Sequence, residues 1–261
     1  MFINRRNIKF HPLSESYFHY CDMPSLNELL RKDWLIRTLY QFDGVYGTWS
    51  ELDRLWISAG EILQNSLVSL INPSSQLVVR SIPPTWTQFE GEKPNGTTQY
   101  INTNWFPSNG IKHTTNSNCV FTYSRENILG TGADLGCSSA AAGFMGINSR
   151  FTGDLMLGAA NDTSLTITKA NSDSRGLFVA QRNDASTIEF FKNGASLGTA
   201  ARVSSTLSTA SLCVGIYNFN NVLTSPGTRQ QSFWGVGSGL INQAKFYEIL
   251  NGYMTLIGKN V

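Results

Sequence analysis

The segment Ile188-Glu-Phe-Phe-Lys-Asn-Gly-Ala-Ser-Leu197 carries the strongest hairpin signal in the chain. Asn193-Gly194 is the dipeptide that a two-residue type I′ turn selects, because both central residues there need positive φ. The run Ile188–Phe191 before it is β-branched and aromatic, as strands prefer. Outward from this hairpin the same punctuation recurs. Asn95-Gly96 and Asn109-Gly110 mark turns. Short β-rich runs fall at Gln99–Phe106, Cys119–Ser124, Phe144–Phe151, Leu155–Leu157, Leu165–Thr168, Leu177–Gln181, Leu212–Ile216 and Gln231–Val236. Gln76–Arg80 predicts a further strand, with a corner at Pro83-Pro84. In Ser211–Ile216, Leu212, Val214 and Ile216 alternate with Ser211, Cys213 and Gly215, giving one apolar and one small face. Many short strands at even spacing predict a mainly β fold, an antiparallel sandwich or closed barrel. Long unpaired edges invite aggregation, so a two-sheet jelly roll is the expected form.

Two regions depart from the two-residue period. Ser25 and Glu28 form an S-x-x-E capping box that places a helix start at Leu26. Leu26, Leu29, Leu30 and Trp34 follow helical spacing, Leu35, Leu39 and Phe42 widen the stripe, and Asp43-Gly44 ends it. A second helix is expected from Ser50, with Leu52, Leu55 and Trp56 on one face and Gly60 at its end. Ile62 to Leu70 reads as a weaker third segment closed by Asn72-Pro73. After Gly239 the helical period returns: Asn242 is the expected N-cap, and Phe246, Ile249, Leu250, Tyr253 and Ile257 form the stripe. Gly252 inside it costs about 1 kcal/mol against Ala, so this helix must rest on tertiary packing. The expected organisation is an N-terminal arm over residues 1–24, a small helical segment over 25–75, and a jelly roll over 76–261 that includes the C-terminal helix.

Composition narrows the function. Among 261 residues, 20 basic stand against 18 acidic ones, and only 15% are charged. A net charge of +2 provides no electrostatic footprint for nucleic acid, and no apolar run is long enough for a membrane span. Cys21, Cys119, Cys137 and Cys213 lie far apart without a C-x-x-C pair, which suits small buried hydrophobes better than zinc or a disulfide framework. Met1–Tyr20 lacks the apolar run of a secretory signal, so the chain is expected to stay in a reducing cytosol until an assembly carries it out.

The chemistry-bearing motifs are sparse. H-E-x-x-H, G-x-x-x-x-G-K-[ST], G-x-S-x-G and the EF-hand loop are all absent. Gly130-Thr-Gly-Ala-Asp-Leu-Gly136 has the wrong spacing for a dinucleotide fingerprint and reads as turn glycine. His11, His19 and His113 share no local motif with a nucleophile. A retaining glycosidase needs two carboxylates about 5–5.5 Å apart, but Glu126, Asp134, Asp154, Asp162, Asp173, Asp184 and Glu189 show no same-face strand pair. Asp154 and Asn161-Asp162 offer oxygen ligands of the calcium type, yet such residues are common in turn-rich chains, so neither a metal nor a cofactor is assigned. The remaining candidate is a recognition surface. Tyr217-Asn218-Phe219-Asn220 lies in a polar stretch between two strands, where aromatic rings suit sugar C–H faces and Asn amides suit hydroxyls; self-packing or packing on a neighbouring subunit is the competing reading. Phe2, Ile3, Arg5, Arg6, Lys9 and Phe10 make the arm apolar and basic, as a partner-docking segment would be.

Gly96-x-x-x-Tyr100-Ile-Asn-Thr103, Val120-Phe-Thr-Tyr-Ser-Arg125, Ser174-Arg-Gly-Leu-Phe-Val179, Phe190-Phe-Lys-Asn-Gly194 and Phe233-Trp-Gly-Val-Gly-Ser-Gly-Leu240 occur in that order. With the C-terminal helix, this series resembles the concanavalin A-like (laminin-G-like) jelly-roll domains of tailed-bacteriophage virion proteins. Tyr40-x-x-Asp43-Gly44, Trp49–Trp56 and Leu70-Ile-Asn-Pro73 resemble the helical segment that often precedes them. The resemblance runs from Ser25 onward and does not cover the first 24 residues; Asn251-Gly252 inside the last helix is a second departure. It implies a non-catalytic structural protein of the virion, an appendage or decoration of head, neck or tail. Its implied partners are other phage structural proteins and further copies of itself. The alternative is a carbohydrate-binding adhesin for host-surface glycans, with a polysaccharide hydrolase third.

Overall fold

The structure is a computed structural model that describes residues 8–74, 78–140, 142–240 and 242–261. In chain order the first elements are helices α1 (Pro12–Phe18), α2 (Leu26–Gln41) and α3 (Asp43–Tyr46). Strands β1 (Leu52–Ile57), β2 (Val79–Ile82), β3 (Thr85–Thr87), β4 (Gly91–Lys93), β5 (Tyr100–Asn102) and β6 (Asn118–Ser124) follow. Next come β7 (Leu135–Ser139), β8 (Ala142–Phe151), β9 (Leu155–Asp162), β10 (Ile167–Ala170), β11 (Gly176–Arg182) and β12 (Thr187–Lys192). The chain closes with β13 (Ala195–Ala201), β14 (Cys213–Val214), β15 (Tyr217–Phe219), β16 (Val222–Thr224), β17 (Gln231–Gly237) and helix α4 (Gln243–Leu256).

The strands form two sheets. Sheet A runs β13-β12-β11-β6-β17-β4-β3 with β1 also on β17, and sheet B runs β10-β9-β8-β7-β14-β5-β2 with the β15–β16 hairpin attached to β7. Pairing is antiparallel except for the short parallel contact of β15 with β7. The expected two-sheet antiparallel sandwich, with short N-terminal helices and a C-terminal helix, is the observed fold. The hairpin at Asn193-Gly194 forms with φ of 50° and 78°, in the left-handed region the dipeptide was selected for.

Alternation along the strands of sheet A separates two cores. Phe121, Tyr123, Leu177, Val179 and Phe233 point to one side, where Leu35, Ile36, Leu39, Phe246, Leu250 and Tyr253 of α2 and α4 meet them. Val120, Phe178, Ala180, Trp234 and Val236 point to the other side, against Leu135, Met145, Ile147 and Met156 of sheet B. The molecule therefore has three layers: helices, sheet A and sheet B. The helix caps follow the sequence. Ser25 Oγ accepts from the Glu28 amide and Asn242 accepts from the Lys245 amide, while Glu61, rather than Glu28, accepts from the Ser25 amide. Gly252 lies where an added Cβ would come within 2.7 Å of the Trp34 ring, which explains a helix-interior glycine by close approach of α2.

Three local readings need correction. The helix expected from Ser50 is strand β1, paired to β17 with Leu55 opposite Gly235 and Ile57 opposite Phe233. Sheet A is covered on both faces, so its strands lose polar alternation, and a short continuous apolar run can mimic helical spacing. The segment Ile62–Leu70 contains only a 3-10 turn at Leu63–Leu67. The arm over residues 1–24, to which the sequence reading assigns no helix, contains α1, whose start is set by Pro12 and a cap from the His11 side chain. Seven residues are too few to display a stripe.

Candidate functional site

The outer face of sheet B is floored by small residues. Gly136 on β7 and Gly146 on β8 sit opposite each other, and the Tyr217 ring lies over both: a Cβ at Gly136 would come within 2.4 Å of that ring, and one at Gly146 within 3.1 Å. Tyr217 is 4% exposed and its phenol donates to the Cys137 carbonyl at 2.9 Å. Burial pushes this phenol far above its ordinary range, so it stays a neutral donor. Phe144 stacks on Tyr217 with centroids 6.4 Å apart, and Phe219 tilts against Phe144 at 6.1 Å. Phe151, Leu157 and Leu165 provide the opposite wall, and the hydroxyl residues Thr131, Thr224 and Ser225 stand on the rim. The cavity so framed is ≈ 290 Å³ and no charged side chain lines it.

One ion pair holds the rim from behind. The Arg229 guanidinium donates to the carbonyls of Ile128, Gly130, Gly132 and Arg150, to Asn148 Oδ1 and to Asp134 Oδ1, at 2.7–3.1 Å. Asp134 also accepts from the Ser149 amide and from Gln231 Nε2. Both side chains are at most 2% exposed, yet every charge has partners, which is the condition under which a buried pair is tolerated. The glycine-rich loop expected to be a plain turn is thus wrapped around a cation, and Ala133 ties it to Ser225 across the rim through a 2.9 Å backbone bond.

The four residues of the expected recognition loop separate in the fold. Tyr217 and Phe219 line the cavity. Asn218 is 3% exposed and its amide donates inward to Ser211. Asn220 is a turn residue with φ 50° whose amide donates to the Ser138 carbonyl. Phe144, Phe151, Leu157 and Leu165 were not foreseen. For Phe144 and Leu157 the signal was an apolar residue on the outward side of β8 and β9, where solvent would favour a polar one, while Leu165 lies between β9 and β10.

Of the arm residues, Phe2, Ile3, Arg5 and Arg6 lie outside the described residues. Phe10 packs edge-on against Phe18 at 5.2 Å, and the Lys9 carbonyl accepts from Arg37. The His11 amide donates to Asp33 and Tyr17 is 2% exposed, so the described part of the arm folds back on α2 of its own chain.

A second arrangement has catalytic residue types. Asp53 accepts from the amides of Ile111, Lys112 and His113, while the His113 ring and the Cys119 thiol both lie against the Gly237 carbonyl. Burial pulls the His113 pKa down to about 4 and pushes the Cys119 thiol well up. Both side chains are sealed from solvent, so a neutral imidazole and a protonated thiol serve packing here. Among the described residues no group of three or more His, Cys, Asp or Glu could hold a metal ion, and no helix is long and apolar enough to cross a membrane.

Comparison with known proteins places the fold. No protein-family model and no curated protein matches the chain. A Trypanosoma rangeli sialidase mutant with trans-sialidase activity superposes with a TM-score of 0.55 at 10% identity, over 88% of this chain and 40% of that one. The binding domain of botulinum neurotoxin serotype D gives 0.52 at 10% identity, over 77% and 51%. A structure of the receptor binding domain of botulinum neurotoxin D gives 0.51 at 9%, over 77% and 52%. The chain therefore spans about half or less of these proteins. At such identity the likeness establishes the fold: a jelly-roll-like β-sandwich.

Proposed function

We propose that the chain is a non-catalytic glycan-recognition module that binds a sugar on the outer face of sheet B. The observation that carries this reading is the uncharged cavity in which Phe144, Tyr217 and Phe219 present aromatic surface, the Tyr217 ring being seated on Gly136 and Gly146. Rings of this kind stack on sugar C–H faces, and the rim hydroxyls meet sugar hydroxyls. A volume of ≈ 290 Å³ is near the lower end for ligand pockets, enough for one or two sugar rings. The superposed proteins include, by their titles, a receptor-binding domain and a sialidase, which agrees with recognition of this kind without fixing a ligand. Catalysis is left out because the buried Asp134 is committed to Arg229, and His113 and Cys119 are sealed. Glycan-array binding by the full chain, lost in Phe219→Ala and Phe144→Ala, is the expected result. An array silent for the folded protein, or unaffected variants, would refute the site.

We further propose that the module is part of a bacteriophage particle, present in several copies. The support is the ordered series from Gly96 to Leu240. Attachment through residues 1–24 belongs to the same proposal. Because Tyr17 is built into the core, deletion of residues 1–7 is the cleaner test than removal of the whole arm. Incorporation that survives this deletion would argue against the arm, and absence of the chain from purified particles by mass spectrometry would refute the virion assignment.

A further inference from the structure

We infer that the cavity on sheet B selects a neutral sugar bearing a methyl group, as an acetamido or a 6-deoxy substituent, over the parent hexose and over acidic sugars. This rests on the glycan-binding reading above and narrows its ligand. The polar groups of the cavity are unevenly placed. Asn148, the one amide in the lining, is already committed: its Nδ2 donates to the Gly130 carbonyl, and its Oδ1 accepts from the Arg150 amide and from Arg229. The hydroxyls of Thr131 and Ser225 make no side-chain hydrogen bond among the described residues, and with Thr224 they are exposed at the rim. The interior is left to Phe144, Phe151, Leu157, Leu165 and the Tyr217 ring, whose hydroxyl is spent on Cys137.

A hexose carries a hydroxyl on nearly every carbon, so seating it would bury at least one hydroxyl without a partner, a cost expressed as tenfold or more in affinity, to order of magnitude. The methyl of a 6-deoxy sugar in the same place gains contact instead, worth about fourfold by its area alone, and an acetamido group can place its methyl there with its amide left at the hydroxyl-bearing rim. A carboxylate fares worst. The nearby cation Arg229 is neutralised by Asp134 and saturated by carbonyls, and the Arg150 guanidinium is held by Asp154 and Asn127. Among the described residues no free positive charge lines the cavity to compensate an acidic sugar.

Calorimetric titration of the full-length chain tests this with the methyl glycosides of N-acetylglucosamine, glucose, L-fucose, L-galactose and glucuronic acid. The expected result is binding of N-acetylglucosamine over glucose, or of L-fucose over L-galactose, by about tenfold or more, with no measurable binding of glucuronate. Whichever pair shows the difference identifies the substituent. Equal binding within both pairs, or tighter binding of glucuronate, overturns the inference while leaving glycan recognition standing. If none of the five binds at millimolar concentration and the array is also silent, the inference and the proposed function fall together.

Discussion

The two sheets of the sandwich treat their outer faces in opposite ways. Sheet A is covered by α2 and α4, so β6, β11 and β17 are buried along their whole length. Sheet B has no such cover over β7, β8 and β9, and its exposed face carries the aromatic cavity. The covered face spends its aromatics on packing: Phe121 meets Phe246 edge-on at 5.0 Å, and both are fully buried. The open face holds Phe144 and Phe219 partly in solvent, beside the Tyr217 ring that lies on Gly136 and Gly146. Aromatic residues thus give stability on one side and a candidate binding surface on the other, according to whether the chain returns a helix to cover them.

The comparison can be broken most severely at the ion pair behind the open face. Arg229→Ala leaves Asp134 buried without its counter-charge and removes a donor from four carbonyls, so a loss approaching about 5 kcal/mol is expected in denaturant unfolding. A loss below about 1 kcal/mol would mean that the glycine-rich loop supports itself. Next in size is the contrast between the faces. Phe121→Ala should cost about 3–4 kcal/mol, whereas Phe144→Ala should cost less than half as much and act mainly on sugar binding. Equal costs would erase the distinction between a packing face and a binding face.

Acid titration probes the seal between the sheets. His113 has a folded pKa lowered to about 4 against an unfolded value near 6.5. Between those values the unfolded chain binds a proton that the folded one excludes, so stability is complete above about pH 6.5 and falls as pH drops toward about 4. The expected loss from this residue is about 3 kcal/mol, and it should vanish from the pH profile of His113→Asn. A profile unchanged by that substitution would show His113 to be hydrated. The smallest effect is the sharpest for function. Phe219→Ala, at a residue 38% exposed, should alter stability by less than about 0.5 kcal/mol while weakening sugar binding about tenfold. Chemical unfolding alongside titration separates the two.

The sequence by itself determined the sandwich. Turn dipeptides act locally through φ, and short β-branched and aromatic runs favour the extended chain locally, so Asn193-Gly194 and strands such as β11 and β12 were legible from neighbours a few residues apart. The caps at Ser25 and Asn242 were legible for the same reason. Strand β1 was not, because Leu52, Leu55 and Trp56 around Asp53-Arg54 fall at helical spacing, and only the helices on one side and sheet B on the other make them a doubly covered strand. The site divides along the same line. Tyr217 and Phe219 stood out as aromatics in a polar loop, but the Asn218 side chain of that loop is turned inward to Ser211, and Asn220 is an exposed turn residue whose backbone amide bonds Ser138. Which of the four faces the cavity follows from the pairing of β15 with β7, a contact between residues about 80 positions apart. Gly136, Gly146, Phe144 and Leu157 become one surface only when three strands lie side by side. Arg229 becomes a rim-holding cation only when the loop from Ile128 to Asp134 closes around it. Local chemistry fixes the elements, whereas a concave surface is made of distant residues and exists only once sheet register has set their spacing.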